Sequence, residues 1–234
     1  MSYLPPNPAI LPDGQEVKVH GSEAFPFAVY CGIIPTFIPA YPLHYHEEME
    51  LIYCEAGSGS ITIDRATVTL HTGDVAVILP GQIHAIAAAG AGTFRYYNIL
   101  FRFSLLEPPD SETYRRFLAP LADGRMEVPA HIQKDSPLGR ELPVNVKMLI
   151  ENRKENTALR IKACLYGVMD ALCKAATPAR NPAGAEHRDT RLLRQTVQYV
   201  DRHYAEKITV AAISAQCGYS SSHFMKRFHD LTGT

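Results

Sequence analysis

The sequence predicts an α+β chain: an antiparallel β-barrel in front, helices behind it, and a short all-α helix-turn-helix segment at the end. Three observations predict it. Between about residues 24 and 103, short runs of β-branched and aromatic residues are punctuated by turn residues, a pattern of antiparallel sandwiches and barrels rather than of βαβ units. From about residue 111 the apolar period lengthens to that of helices. From residue 188 three short helical segments follow a stretch of prolines, glycine and small residues. At 234 residues, 46% apolar and 20% charged, the chain has an ordinary globular composition and room for one large domain or two small ones.

The N-terminus, with prolines at 5, 6, 8 and 12, has neither a basic start nor an apolar stretch, so no secretory signal is expected. No apolar run is long enough to span a membrane, and a cytoplasmic protein is the expectation. Cys31, Cys54, Cys164, Cys173 and Cys217 are scattered and form no C-x-x-C pair, which fits reduced thiols. Strands are expected at Glu50 to Cys54, Ser60 to Ile63, Thr67 to His71, Val75 to Leu79, near His84, and Thr93 to Phe103. Tyr45, Tyr53, Tyr96, Tyr97 and Phe101 read as core.

Helices are expected at Ser111 to Ala122, Leu138 to Arg153 and Thr157 to Ala176. Pro143 should sit near the first turn of the second. In the third, Ile161, Leu165, Val168 and Leu172 form one stripe, and Tyr166, Met169 and Cys173 form another. Either the second stripe meets a partner subunit, or the two make one broad core-facing surface. A homodimer through the 157–176 helix is the expectation. Residues 177–187 read as a linker, which divides the chain into a domain at 1–176 and a segment at 188–234.

From residue 187 onward, seven Lys/Arg face four Asp/Glu, while the rest of the chain carries an acidic excess. A basic tail on an acidic body hints at an anionic partner. The first tail helix should begin near Asp189 or Thr190, with Leu193, Val197, Val200 and Tyr204 on one face. The second starts near Thr209, buries Val210, Ile213 and Cys217, and ends at Gly218. The third opens with Ser220-Ser221-Ser222 and turns Phe224, Phe228 and Leu231 inward. Two short helices joined through one glycine form a helix-turn-helix, whose second helix enters the major groove of DNA. Ser221, Ser222, Met225, Lys226 and His229 then face outward, suited to phosphates and base edges, and Arg227 flanks them toward the phosphates. An ordinary helical hairpin with solvated charges is the alternative.

The segment from Ile208 to Gly233, with its Gly-Tyr-Ser-Ser-Ser-His-Phe core, Lys226-Arg227, Phe228 and Thr232-Gly233, resembles the first helix-turn-helix of AraC-type regulators. The resemblance implies binding of double-stranded DNA. Ser214 stands where that family has alanine, and is tolerated if its hydroxyl bonds back to the helix backbone. The family's DNA-binding unit has two such subdomains and this sequence resembles the first, so a fragment or truncated product is the expectation.

In the front half, His44-x-His46, Glu50 and Gly57 are followed by Gly73-Asp74 and Pro80-Gly81-x-x-His84. Together these resemble the two cupin motifs of AraC-type sensing domains, over roughly residues 25–103. No glycine opens the first motif, one extra residue separates Gly73 from the proline, and Ala88 replaces the usual asparagine. On an unbroken strand His44, His46 and Glu50 would share a face, as would Glu48. His84 from another strand completes a set of three histidines and a carboxylate. These four residues either line an effector pocket, where the histidines can meet an anion by taking up a proton, or hold Fe, Mn, Ni or Zn as in metal-binding cupins. No cofactor is expected, and the four are effector-binding residues first. The combined reading is a non-enzymatic, ligand-responsive DNA-binding transcription regulator sensing a sugar or related metabolite. The alternatives are a metal-dependent cupin enzyme and a metabolite-binding module without DNA output.

Overall fold

Strand pairing in the first unit is organised by one long strand. The computed structural model describes residues 10–11, 14–64, 66–152, 157–179, 192, 196, 199–200, 203–204, 206–217, 219 and 221–232, in two units, 1–178 and 179–234. In the first unit β1 (Phe27–Ile34), β2 (Ala40–His44), β3 (Met49–Ile63), β4 (Ala66–His71), β5 (Val75–Ile78), β6 (His84–Ala88) and β7 (Phe94–Phe101) are all paired antiparallel. The first half of β3 pairs with β7 and β5, and its second half with β6 and β4. The strands therefore form two layers that share β3: β1-β7-β3-β5 on one side and β2-β6-β3-β4 on the other. Among the described residues no pairing closes these layers into a continuous ring.

The two-residue period of a strand sorts side chains between two cores. Ile52 and Cys54 of β3 and Phe94 and Tyr96 of β7 face between the layers, with Ile34, Tyr41, Ile61, Ile78 and Ile86. Met49, Leu51, Tyr97, Ile99 and Phe101 point the other way, onto the helices. Gly59 lies where the β7 side chains cross: an added Cβ would come within 2.2 Å of the Phe94 ring.

After a one-turn helix at Phe103–Leu105, a π-helical turn (Tyr114–Leu118) runs into α1 (Ala119–Ala122). Short strands β8 (Met126–Glu127) and β9 (His131–Ile132) precede α2 (Pro137–Glu151) and α3 (Ala158–Ala175). Pro143 lies in the second turn of α2, not near the first. The start is set upstream by Ser136, whose Oγ accepts the Gly139 amide at 2.9 Å, and by Pro137 at the first helical position.

Both stripes of α3 face its own unit. Ile161, Leu165, Val168 and Leu172 are buried, and so is Met169, with Cys173 half-buried beside it. The Tyr166 hydroxyl donates to the Leu106 carbonyl at 2.7 Å. Most of the second stripe is thus used within the unit, and Leu159, 86% exposed, and the Tyr166 ring, 41% exposed, are the large side chains that α3 leaves to solvent. Thr177–Pro178, the first residues of the expected linker, form β10 and pair with β8.

In the second unit Leu192, Ile213, Cys217 and Phe224 form a small core with Tyr199, Ile208, Tyr219 and Phe228. The first tail helix turns Leu192 and Thr196 inward and leaves Val200 and Tyr204 exposed, one residue out of step with the expected face. Leu193, Val197, Asp189, Thr190, Gly218 and Ser220 lie outside the described residues. α4 (Val210–Gln216) is capped by Thr209, whose Oγ1 accepts the Ala212 amide at 3.2 Å. Val210 opens that helix on its exposed side instead of in the core. α5 (Ser221–Thr232) follows. Ser214 is buried, and its hydroxyl lies 3.0 Å from the Ala211 carbonyl and 3.1 Å from Ser221 Oγ. The back-bond that makes a serine tolerable there is present.

Candidate effector site and DNA-reading face

The strand that carries the front motif is not continuous. His44 ends β2, His46 lies in the connection, and Glu50 stands on β3, so the shared-parity argument fails in its premise. The residues converge all the same. A bulge after Tyr41 shifts the β2–β6 register and sets His44 opposite His84, and the Gly81 amide donates to the His46 carbonyl at 2.8 Å to fix the connection. One ligand atom from each of His44, His46, Glu50 and His84 lies within 4.8 Å of the others, and all four residues are buried. Glu48, which the parity argument could not separate from these, turns to Arg102, whose Nε donates to Glu48 Oε1 at 2.9 Å.

The three rings are held alike. Each Nδ1 donates to a backbone carbonyl: His44 to Pro42 at 2.8 Å, His46 to Glu48 at 3.1 Å, His84 to Gln82 at 2.9 Å. These bonds leave Nε2 pointing into the cluster. Glu50 Oε2 lies 3.0 Å from His46 Nε2 and 2.9 Å from His84 Nε2. A neutral ring with its proton on Nδ1 would set a lone pair against the carboxylate, so the arrangement calls for positive charge between them, either a proton on Nε2 or a metal ion. The donor set therefore fits a divalent metal: three imidazole nitrogens and one carboxylate, each ring oriented from behind. Burial alone would raise the Glu50 carboxyl, but the hydrogen bonds and charge of His46 and His84 outweigh it and hold it far below the usual carboxylate range. Burial, helped by the neighbouring charge of His84, pushes His44 down to about 4.

Several groups around this cluster were not legible as site residues. Tyr96 and Asn98 share the inner face of β7, and among the described residues the Tyr96 hydroxyl and Asn98 Oδ1 have no hydrogen-bond partner. Burial and the charge of Glu50 raise the Tyr96 phenol. A buried polar atom left unsatisfied costs about 1–3 kcal/mol, so these two atoms mark a place where a polar ligand or water restores the balance. Ahead of β1, an arm at residues 14–20 lies against the connection after β2: the Glu16 amide donates to the Tyr45 carbonyl and the Tyr45 amide to the Gly14 carbonyl, both at 3.0 Å. It carries Glu16 and His20 to the cluster, both buried.

In the second unit Ser221, Ser222, Met225, Lys226 and His229 are all exposed on α5, with Ser221 on the side of Phe224, where its Oγ lies 3.1 Å from that of Ser214. The side chain of Arg227 lies outside the described residues. The first two turns of α5 thus present hydroxyls and a lysine on the face that a recognition helix uses.

The model of the AraC-like ligand-binding domain matches residues 30–117, and that of the bacterial regulatory helix-turn-helix proteins of the AraC family matches residues 200–234. The chain belongs to the AraC-type regulators. No curated protein matches it significantly. Among solved structures it is similar to a cupin protein from Bacteroides fragilis, with 27% identity and a TM-score of 0.32 over 35% of this chain and 70% of that one. It is also similar to the Cnp3 cupin domain of Schizosaccharomyces pombe, with 18% identity and a TM-score of 0.33 over 41% and 65%. Oxalate decarboxylase from Bacillus subtilis matches with 24% identity and a TM-score of 0.26 over 28% of this chain, which spans only 18% of that enzyme. TM-scores this low carry no functional argument. The fold class of this AraC-type chain is α+β, with antiparallel β-layers ahead of its helices, and among the described residues no helix is long and apolar enough to cross a membrane.

Proposed function

We propose that the protein is a transcription regulator whose DNA affinity responds to a small molecule bound between the β-layers. The observation that carries the reading is the polar interior: a buried carboxylate flanked by three oriented histidines, with the unpartnered Tyr96 hydroxyl and Asn98 oxygen on the adjoining strand. A core built for stability alone would fill that volume with apolar side chains. His44, His46, Glu50 and His84 are the effector-binding residues, and Ser221, Ser222, Met225, Lys226, Arg227 and His229 are the DNA-reading residues. Two subunits pair through the solvent face of α3 around Leu159; a monomer at high concentration in sedimentation would refute that pairing. A ligand changes DNA affinity only by binding one arrangement of the protein better than another. The test is operator binding with and without metabolites: the expected result is a shift of at least several-fold with one of them, lost in the His84→Ala variant.

A second reading is favoured by the ring geometry. His44, His46, Glu50 and His84 would hold a divalent ion, which would supply Lewis-acid binding of an oxygen ligand. The chain's own contribution is to orient the three rings through Pro42, Glu48 and Gln82 and to exclude water. Metal analysis of protein purified without added metal or a polyhistidine tag, beside His44→Ala, tests it. One metal per chain, lost in the variant, supports a metal-dependent site and reopens the enzyme reading; a folded, metal-free protein leaves the effector pocket.

A further inference from the structure

The three rings of the cluster lean on three backbone carbonyls, and each carbonyl belongs to a residue that is itself held. Pro42, which takes the His44 proton, has its φ fixed by its own ring. Gln82, which takes that of His84, is pinned by its side chain: Oε1 accepts the Leu79 amide at 2.7 Å and Nε2 donates to Asp64 at 2.9 Å. The His46 ring leans on Glu48, which lies in the connection just ahead of β3.

Arg102, directly after β7, supplies the hold there. Its Nε donates to Glu48 Oε1 at 2.9 Å, and its Nη2 lies 3.3 Å from Glu47 Oε2. One planar guanidinium thus spans both carboxylates of the connection, a reach that suits arginine and not lysine. The backbone of Arg102 is fixed in turn. Its amide donates to the Pro26 carbonyl at 3.1 Å, and its carbonyl accepts the Leu105 amide at 3.0 Å. Glu48 is buried while Glu47 is half-buried, so the bond to Glu48 is the one that carries weight: a buried carboxylate needs its partner, and an exposed pair contributes little.

The ion pair also settles a competition. Glu48 offers the His46 Nδ1 proton two acceptors, its carbonyl at 3.1 Å and its carboxylate Oε2 at 3.7 Å. Arg102 draws the carboxylate toward itself through Oε1 and leaves the proton to the carbonyl. A ring turned to the carboxylate would carry Nε2 away from Glu50, which it now meets at 3.0 Å.

Resting on the reading of this cluster as the binding site, we propose that Arg102 is a positioning residue of that site. Acting through Glu48, it holds the His46 ring with Nδ1 toward the backbone and Nε2 toward the occupant. His46 is the ring that needs such a device, because its acceptor stands in an irregular connection, whereas those of His44 and His84 are fixed by a proline ring and by a doubly bonded amide.

The test is exchange of the ring Nδ1 protons with water, followed by nuclear magnetic resonance in protein carrying 15N-labelled histidine. In Arg102→Ala the His46 proton should exchange about tenfold faster or more, with those of His44 and His84 unchanged. A parallel rise at all three rings would mean general loosening and would overturn the proposal, as would unchanged exchange at His46. If Arg102→Ala does not fold, Arg102→Leu with Glu48→Leu takes its place, since apolar replacement of a buried ion pair is often neutral for stability; the same three readings decide. Zinc is the probe that separates the proposal from the reading beneath it. Arg102→Ala should lower zinc affinity about 10- to 100-fold, and equal binding by the variant and the intact protein counts against the positioning. An intact protein that binds neither zinc nor any metabolite overturns the binding-site reading, and the exchange at His46 then still decides the role of Arg102.

Discussion

Replacing Tyr41 by phenylalanine removes one hydroxyl from the site and leaves the ring. That hydroxyl donates at 2.6 Å to a carboxylate held in its charged form. Hydrogen bonds to charged groups contribute about 1.5–3 kcal/mol, and here the lost donor also leaves Glu16 buried with fewer partners. The loss has a ceiling. The arm can leave without unfolding the β-layers, because its ties to them include the Glu16–Tyr45 and Tyr45–Gly14 backbone bonds, the polar contacts of Glu16 and His20, and the Lys18 ammonium 3.6 Å over the Tyr30 ring. Beyond the free energy of arm docking, the substitution costs global stability nothing further. At about 1.4 kcal/mol per factor of ten, opening of the arm should become about 10- to 100-fold more frequent. The assay is hydrogen exchange at the amides of Glu16 and Tyr45, with core amides of β3 as the internal reference. The amides of Glu16 and Tyr45, which pair the arm with the connection after β2, should lose protection while Leu51 and Ile52 keep theirs. Unchanged exchange at Glu16 and Tyr45 would refute the reasoning that polar contacts hold the arm. A parallel loss throughout β3 would refute its independence from the sheet.

Three further expectations follow from other contacts. Gly59→Ala drives a methyl into the Phe94 ring and should cost about 1–3 kcal/mol by overpacking, read from denaturant midpoints; Gly59→Ala with Phe94→Leu should recover part of it. Asp74 accepts the His71 and Lys134 amides and His131 Nε2 at 2.9–3.1 Å. Burial would raise its carboxyl, but these bonds lower it below its ordinary value of 3.8, so its stabilisation is full above about pH 4 and fades as pH falls further. Asp74→Asn should therefore flatten the acid limb of the stability curve and lower stability at neutral pH by about 1.5–3 kcal/mol, and an unaltered acid limb would contradict it. Ser214→Ala loses the bonds to Ala211 and Ser221, but Ser221 is exposed and can turn to water. The loss should stay under about 1 kcal/mol, with DNA binding intact.

The cluster was legible because His44, His46, Glu50 and His84 are chemically conspicuous. They converge through a bulge and a loop rather than by strand parity, and Glu48 was separable only once its ion pair with Arg102 was visible. Glu16, His20 and Tyr41 were missed: residues 14–20 follow a proline-rich start and are too short a stretch to stand out as an element, and Tyr41 carries no motif. The signal was an alternation of charged residues with valines, which reads as solvent-facing until the inward side is known. On α3, periodicity identified both stripes but not their target, since a helix lodged under a sheet can bury more than half its circumference. In the first tail helix neighbouring stripes differ by 100°, and the mixed residues left the inner face open to a one-residue error.

The central claim is that the protein reads DNA sequence, and the most direct measurement is selection of duplexes from a random pool, followed by titration of the recovered sequence at several salt concentrations. The account predicts an enriched motif bound on the order of a thousandfold tighter than random DNA, and a salt slope that falls by about one in Lys226→Ala. No enrichment, with affinity indifferent to salt and to Lys226, would contradict it.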